Sequence, residues 1–561
     1  MRAMQSLSLP VSLWRRYRLA SLALAANTWL VLAALFWTLS ANRLFLGAAL
    51  QGRSAAEPAS WGFALALLLL VFSLHLLLLG LLATRWTLKP LLVLLTLGTA
   101  FASYFMQAYG VFLDPSMLRN VWRSDAAEAR ELLSPALLLH LLLYAGLPLL
   151  VLSRLRLRPE PSWLRAAGRR LALLGLALLT ALASLFSIYQ PFSSLMRNHK
   201  ELRYLITPAN YLWSGAAVAI GEARGAAHPR QPVGLDAAPG ASWAQRRKPL
   251  VLVLVVGETA RDANWGLSGY ARQTTPELAQ LGVANLGPVL ACGSNTEVSL
   301  PCMFSALGRR DYDEARIRGQ DSLLHVVARA GVAVQWRDNQ SGCKGVCADL
   351  PSEQVDAHNA PSLCAEGRCL DEGLVHDLDR RLRAAQGTQL WVLHMLGNHG
   401  PAYHRRYPRE FARFQPECRS DDLQQCTAQQ IVNAYDNALL YTDHLLARAI
   451  AQLKAQADKV DSLLIYVSDH GESLGEHGLF LHGLPYAIAP TVQTRVPMVV
   501  WASPGFAAGA GLAGDCLRRA LQPQAQRPVS HDHLFHTVLG LLDVRSRVHE
   551  PAWDLSQGCR S

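Results

Sequence analysis

The sequence predicts two parts with different solvents: an α-helical membrane domain of five transmembrane helices, then an α/β domain outside the cytoplasm. Three observations carry this. Of the 561 residues, 51% are hydrophobic, yet nearly all the long apolar runs lie before residue 190. The ten cysteines all lie after residue 290. In the second part, three short apolar runs each end on a Glu, a His or an Asp-His pair. A chain of this length also exceeds one ordinary domain.

Five stretches approach the ~20 residues needed to cross a bilayer. They lie near residues 19–40, 61–82, 91–111, 132–152 and 171–189. Arg15, Arg16 and Arg18 precede the first, Arg85 and Lys89 fill the short second loop, and Arg154, Arg156, Arg158, Arg165, Arg169 and Arg170 crowd the fourth. The positive-inside rule puts these in the cytoplasm, so an odd number of spans exports everything after Tyr189. The first span could pass for a signal peptide, but the four that follow still anchor the chain. His75 and His140 fall inside spans and read as interhelical residues rather than ligands. Part of the net charge of +11 is these arginines. Basic residues beside a membrane also attract anionic headgroups; no recognition motif supports nucleic-acid binding.

The cysteines agree with export. Their clustering suggests the pairs 292–302, 343–347, 364–369, 418–426 and 516–559. A zinc site is the rival at Cys343/Cys347 and Cys364/Cys369, but an oxidising compartment favours disulfides.

Residues 1–190 are thus expected as the membrane domain. Residues 191–247 follow as an interfacial segment, mixed aromatic and basic, running into a linker rich in Gly, Ala, Pro, Arg and Gln. Residues 248–561 form the catalytic domain. There, residues 323–329 and 332–336, and residues 431–453 and 463–467, read as helix-then-strand units. That alternation predicts a mostly parallel sheet with helices on both faces.

The chemistry concentrates at strand ends. Residues 250–256 run into Gly257-Glu258-Thr259, residues 390–393 into His394 and then Gly397-Asn398-His399, and residues 463–467 into Ser468-Asp469-His470-Gly471. Open α/β sheets place ligands at the C-terminal ends of strands. Carboxylate and imidazole together suit zinc. His482 follows twelve residues after His470. A candidate nucleophile lies on the loop Cys292 to Ser305, which leads into an expected helix start near Ser299-Leu300-Pro301. A hydroxyl there is a weak nucleophile unless a metal lowers its pKa. By chemistry alone Ser294, Thr296 and Ser299 all qualify.

Gly257-Glu258-Thr259, Cys292-Gly293-Ser294-Asn295-Thr296, Pro301-Cys302-Met303-Phe304-Ser305 and the run from Ser468 to Glu476 resemble the signatures of phosphoethanolamine transferases. These are inner-membrane enzymes with an alkaline-phosphatase/sulfatase-like periplasmic domain, and they include lipid A-modifying and mobilised polymyxin-resistance enzymes. The resemblance covers essentially the whole chain. It implies that Thr296 is the nucleophile and that Glu258, Thr296, Asp469 and His470 hold a catalytic Zn2+. It further implies that Lys344, His394, His399 and His482 line the donor or acceptor site, with a second Zn2+ at His399 and His482. Asn120, Ser124 and Glu128 match a periplasmic loop that contributes to lipid binding. Ser124 stands where threonine is usual, and His477 where asparagine is often found.

The implied reaction moves phosphoethanolamine from phosphatidylethanolamine to a phosphate of lipid A through a phospho-threonine, releasing diacylglycerol. A less negative lipid A would bind cationic peptides more weakly. The alternatives are a lipopolysaccharide core-sugar acceptor, or glycerol-phosphate transfer to a periplasmic glycan. A sulfatase would need a Cys/Ser-x-Pro-x-Arg motif, and no arginine follows Pro301 at that offset. A zinc-binding protein without activity gives no reason for a hydroxyl beside the ligands. The chain is expected to act as a monomer.

Overall fold

A computed structural model describes residues 22–124, 126–158, 160, 162–227, 230–365, 367–520 and 528–560. Arg15, Arg16, Arg18 and the expected start of the first span lie outside the described residues. The chain forms two compact units. The first takes in the chain up to Gln107 together with Pro135–Tyr211; the second is Ala108–Ser134 with Leu212–Ser561. The segment 108–134, placed by sequence in the membrane domain, therefore packs with the catalytic domain.

Among the described residues, four helices are long and apolar enough to cross a membrane: Pro58–Leu82, Leu88–Tyr109, Pro135–Ser153 and Trp163–Ser187. The first expected span is instead a pair, Ala26–Ser40 and Arg43–Leu50, bent by 54°, and counts as a fifth only if the pair is one span. Gly80 lets Pro58–Leu82 approach Trp163–Ser187: a Cβ there would lie 2.6 Å from Leu174 Cδ2. Arg170 donates to the carbonyls of Gly80 (3.0 Å) and Ala83 (2.6 Å), which the helix end leaves without an intrahelical partner. His75 bridges Thr38 Oγ1 and the Thr207 carbonyl, each at 2.9 Å, and His140 Nε2 meets Ser103 Oγ at 3.0 Å. Both histidines join helices.

The second unit is built on a seven-stranded sheet: β1 (Leu250–Gly257), β2 (Ala284–Asn285), β3 (Ala333–Asp338), β4 (Ser352–Gln354), β5 (Thr388–His394), β6 (Asp461–Ser468) and β7 (Met498–Ala502). Their spatial order is β2-β7-β6-β1-β5-β3-β4. Strands β6, β1, β5, β3 and β4 are mutually parallel, and β7 pairs antiparallel with both β6 and β2. Strand period two divides β1 between two cores, with Leu250, Leu252, Leu254 and Val256 in one and Val251, Val253 and Val255 in the other. Burying a Val or Leu side chain stabilises by about 1.5–3 kcal/mol. A strand apolar on both faces thus belongs at the centre, where β1 lies.

Six helices of this unit matter below: α1 (Pro115–Arg123), α2 (Ala209–Ala227, its later part), α3 (Thr296–Met303), α4 (Glu314–Arg318), α5 (Ala428–Ala455) and α6 (Asp532–Leu542). α5 and α6 cover opposite faces of the sheet. α5 starts at a capping box of Thr427 and Gln430.

The stretch read as a linker is largely structured. α2 runs to Ala227, Ala238–Pro239 pairs with Val544–Arg545, and Trp243 Nε1 donates to the Leu542 carbonyl at 2.8 Å. The Gly- and Pro-rich composition reflects an edge pairing and turns rather than a free tether.

All ten cysteines are paired, as 292–302, 343–347, 364–369, 418–426 and 516–559. Four close short loops. The fifth spans 43 residues and removes the most unfolded-state entropy, worth about 4 kcal/mol in the loop-closure account. Thiol labelling of denatured, unreduced protein should detect essentially no free cysteine, and reduction should expose all ten. Several reactive thiols before reduction would contradict this pairing.

Candidate active site

Strand register assembles the site. β1 pairs Val256 with His394 of β5 and Val467 of β6, and Gly257 with Ser468. Continuing each strand by a residue or two puts Glu258, Asp469 and His470 side by side at one edge of the sheet, all fully buried. Next to them stands Thr296, the first residue of α3. Its Oγ1 lies 3.2 and 3.1 Å from the two Glu258 oxygens and 3.3 Å from His470 Nε2. His470 Nε2 is 3.3 Å from both Glu258 Oε1 and Asp469 Oδ2, and its Nδ1 is oriented by the Gly471 carbonyl at 2.9 Å.

α3 begins at Thr296, earlier than the sequence suggested. Asn295 caps it by accepting from the Val298 amide at 3.0 Å, so Pro301 falls inside the helix. The carbonyl of Glu297, which a proline four residues on cannot satisfy, takes the Arg318 guanidinium. Starting the helix here puts Thr296 in its first turn, where free amides favour negative charge. The rival hydroxyls are occupied: Ser294 donates to the Leu484 carbonyl and Ser299 to the Asp469 carbonyl.

Charge is tightly balanced in this dry cluster. Burial works to raise the Glu258 carboxyl, but the hydrogen bond and charge of His470, with the charges of His399 and His482, hold it below the ordinary carboxylate range. Burial, then the neighbouring charge of Glu258, pushes Asp469 up to about 7. Burial opposes the charged form of His470, yet Asp469 and Glu258 lift it to about 10. Asp469 and His470, beside the ionised Glu258, thus retain protons that a cation can replace. Asp469 Oδ2 is buried without a hydrogen-bond partner. The ligand atoms of Glu258, Asp469 and His470 lie within 4.8 Å of one another, as do those of Glu258, His399 and His482. Carboxylate oxygens, imidazole nitrogens and a hydroxyl are a donor set that fits zinc.

Around this cluster, the His482 ring centroid lies 4.4 Å from that of His470 and 5.3 Å from that of His399. His482 Nδ1 meets Glu472 Oε2 at 2.9 Å, and Tyr403 donates to Glu472 Oε1 at 2.8 Å. His394 Nδ1 meets Asp338 Oδ2 at 3.0 Å, and its buried Nε2 has no hydrogen-bond partner. Burial would lower the His394 pKa; the Asp338 charge and hydrogen bond outweigh that and raise it. Lys344 is placed differently. Its Nζ donates to Ser341 Oγ at 2.6 Å and lies 3.6 Å from Glu297 Oε1.

Asn120 sits on α1 and Ser124 just after it, with Ser124 donating to the Asn120 carbonyl at 3.1 Å. The Glu128 side chain lies outside the described residues. α1 nevertheless docks beside the loop that leads to Thr296, since Asn295 Nδ2 donates to Ser116 Oγ at 3.3 Å. His477 is exposed, with φ 55°, a conformation that asparagine also tolerates.

Sequence reasoning missed Gln340, Asp338, Glu472 and Glu297. Gln340 Nε2 donates to Glu258 Oε2 at 3.2 Å. It follows the end of β3, a fourth strand delivering residues to the same edge. Glu472 lay inside the run from Ser468 to Glu476 without a role of its own. Glu297 follows Thr296 directly.

Residues 251–544 match the Sulfatase family, and residues 71–222 match the family described as phosphoethanolamine transferase EptA/EptB. Phosphoethanolamine transferase EptA of Escherichia coli (strain K12) is 38% identical over 537 residues, 95% of this chain and 96% of the relative. Phosphatidylethanolamine transferase Mcr-1 of Escherichia coli is 36% identical over 545 residues, 95% and 97% of the two chains. The structure of the integral membrane protein lipooligosaccharide phosphoethanolamine transferase A from Neisseria meningitidis superposes with a TM-score of 0.90 at 35% identity, over 96% of this chain and 100% of that one. The chain belongs to the phosphoethanolamine transferase EptA/EptB family and carries the family's sulfatase-like catalytic domain.

Proposed function

We propose that the protein transfers phosphoethanolamine from phosphatidylethanolamine to a phosphate of lipid A, in two steps through Thr296. One observation carries this reading. The Thr296 hydroxyl stands at a helix N-terminus between a buried carboxylate and a buried imidazole, while Ser294 and Ser299 are tied to carbonyls. The five-span anchor, with the catalytic domain in the periplasm, belongs to the same reading, because donor and acceptor are both lipids.

In the first step Thr296 Oγ attacks the donor phosphorus. The new O–P bond replaces the bond to glycerol, and diacylglycerol leaves with a proton. In the second step an acceptor phosphate oxygen attacks the same phosphorus and Thr296 leaves, regaining its proton. Glu258 and His470 orient the threonine Oγ, and the proton it gives up on attack is the one that leaves with diacylglycerol. Little covalent chemistry falls to the protein, so positioning and charge do most of the work. His394, His399, His482 and Lys344 bring N–H donors and positive charge for the phosphoryl oxygens. Zinc held by Glu258, Thr296, Asp469 and His470 would supply Lewis-acid charge that favours the deprotonated hydroxyl. A second ion fits Glu258, His399 and His482. The kinship with lipooligosaccharide phosphoethanolamine transferase A supports a lipid A acceptor. The kinship with Mcr-1 supports polymyxin tolerance as the cellular consequence.

Three tests follow from the geometry. Thr296→Ala removes only the neutral member of the ligand set, so it should abolish transfer while folding persists and Glu258, Asp469 and His470 still hold metal, and wild-type protein given donor lipid alone should carry phosphoethanolamine on the peptide containing residue 296. An adduct at Ser294 or Ser299 would reassign the nucleophile.

Exhaustive chelation should remove activity, and zinc should restore it. Glu258→Ala, Asp469→Ala and His470→Ala should each lose both metal and turnover, measured by metal analysis beside the transfer assay. Full activity in demonstrably metal-free protein would sink the zinc assignment.

Expression in a strain lacking its own transferases should add a phosphoethanolamine increment to isolated lipid A, together with polymyxin tolerance. Unmodified lipid A beside a modified core would move the acceptor to a core sugar and leave the two-step chemistry standing.

A further inference from the structure

Glu297 follows the candidate nucleophile on α3, and adjacent helical residues point about 100° apart. Thr296 faces the carboxylate–imidazole cluster; Glu297 faces α1. Its side chain is wholly buried, yet cations from three separate segments converge on it. Oε2 accepts from Arg123 Nη1 at 3.2 Å and from Arg318 Nη2 at 3.1 Å, and Lys344 Nζ lies 3.6 Å from Oε1. Charge then alternates outward. Arg123 Nη2 donates to Glu222 Oε1 of α2 at 2.8 Å, Arg318 Nε to Glu314 Oε1 at 3.1 Å, and Glu314 pairs with Arg119. Arg119 and Arg123 are four residues apart, so they share one face of α1. That face rests on an acidic pair, Glu297 and Glu314, which Arg318 holds together.

We infer that Glu297 is a positioning residue that fixes α1, and with it Asn120 and Ser124, against the helix bearing Thr296. The inference rests on the transfer reading above. A buried carboxylate that loses its charge leaves its arginines uncompensated, so the joint loosens as a unit rather than one contact at a time. The Lys344 ammonium is held on the same carboxylate, beside the expected path of the donor phosphate. The joint therefore governs how well the lipid headgroup is seated and leaves the bond-making step at Thr296 unaltered.

The test uses the full chain and phosphatidylethanolamine vesicles, reading adduct formation on the Thr296 peptide. Wild-type protein must form the adduct; if it does not, the transfer reading falls and takes the inference with it. Glu297→Gln keeps the shape and removes the charge. It should raise KM for the vesicle donor about tenfold, with kcat and bound zinc near wild type. Arg123→Gln should do the same, Arg123→Lys should recover part of the loss, and the double variant should be no worse than either single change. Arg123 is partly exposed and keeps the joint testable should Glu297→Gln fold poorly. Wild-type KM in both single variants would overturn the inference. So would a fall in kcat at unchanged KM, or additive effects in the double variant.

Discussion

The register of three parallel strands is the constraint on which the rest depends. Hydrogen bonding of β1 to β5 and β6 aligns Val256 with His394 and Val467, and this decides which side chains meet at the sheet edge. A slip of one residue would turn every side chain to the opposite face and scatter the cluster. Close packing at the edge holds the alignment. A Cβ on Gly257 would lie 2.4 Å from the Tyr466 hydroxyl, and one on Gly397 would lie 2.7 Å from the Glu258 carbonyl. Gly397 also takes φ 53°, which suits a residue without a side chain.

That alignment creates an electrostatic problem with a chemical use. Glu258 and Asp469 are buried beside each other, and burial alone would neutralise both. His470 offsets part of the charge, and Asp469 Oδ2 is left without a hydrogen-bond partner. The first turn of α3 adds its amides on the side of Thr296. The dry environment that penalises an uncompensated charge also strengthens each interaction with a phosphoryl group.

Much of this was legible in the sequence because it is local. Strands β1, β5 and β6 announced themselves as apolar runs that end on Glu258, His394 and Asp469-His470. The five disulfides followed from cysteine clustering in an exported domain, and α5 from the helical pattern of residues 431–453. What was missed depends on tertiary contacts or on competing local signals. Pro301 suggested a helix start, whereas the Asn295 cap began the helix earlier and Arg318 satisfied the carbonyl that proline leaves open. The first span broke into a bent pair, an angle that hydropathy does not encode. Residues 221–247 looked like a linker by composition, but the partners of Trp243 and Pro239 lie some 300 positions away, at Leu542 and Val544. Glu297 carries no motif of its own. Its partners Arg123, Arg318 and Lys344 come from three segments that only the fold brings together.

The segment 108–134 shows how topology and chemistry are joined. It lies between two candidate membrane helices in sequence, yet it packs as part of the catalytic unit. At one end Arg119 and Arg123 hold α1 to Glu314 and Glu297, one residue from Thr296. At the other end Glu131 is buried and paired with Arg368 and Arg406, and Arg406 Nε donates to the His399 carbonyl at 2.6 Å. The same loop thus touches the helix carrying Thr296 and the turn carrying His399. Buried pairs of this kind add little net stability over apolar packing, but they are costly to break singly and they fix one arrangement among many. A short loop anchored by such pairs at both ends sets the distance between α1 and the threonine hydroxyl. Apolar contacts alone are non-directional and would leave that distance free to vary.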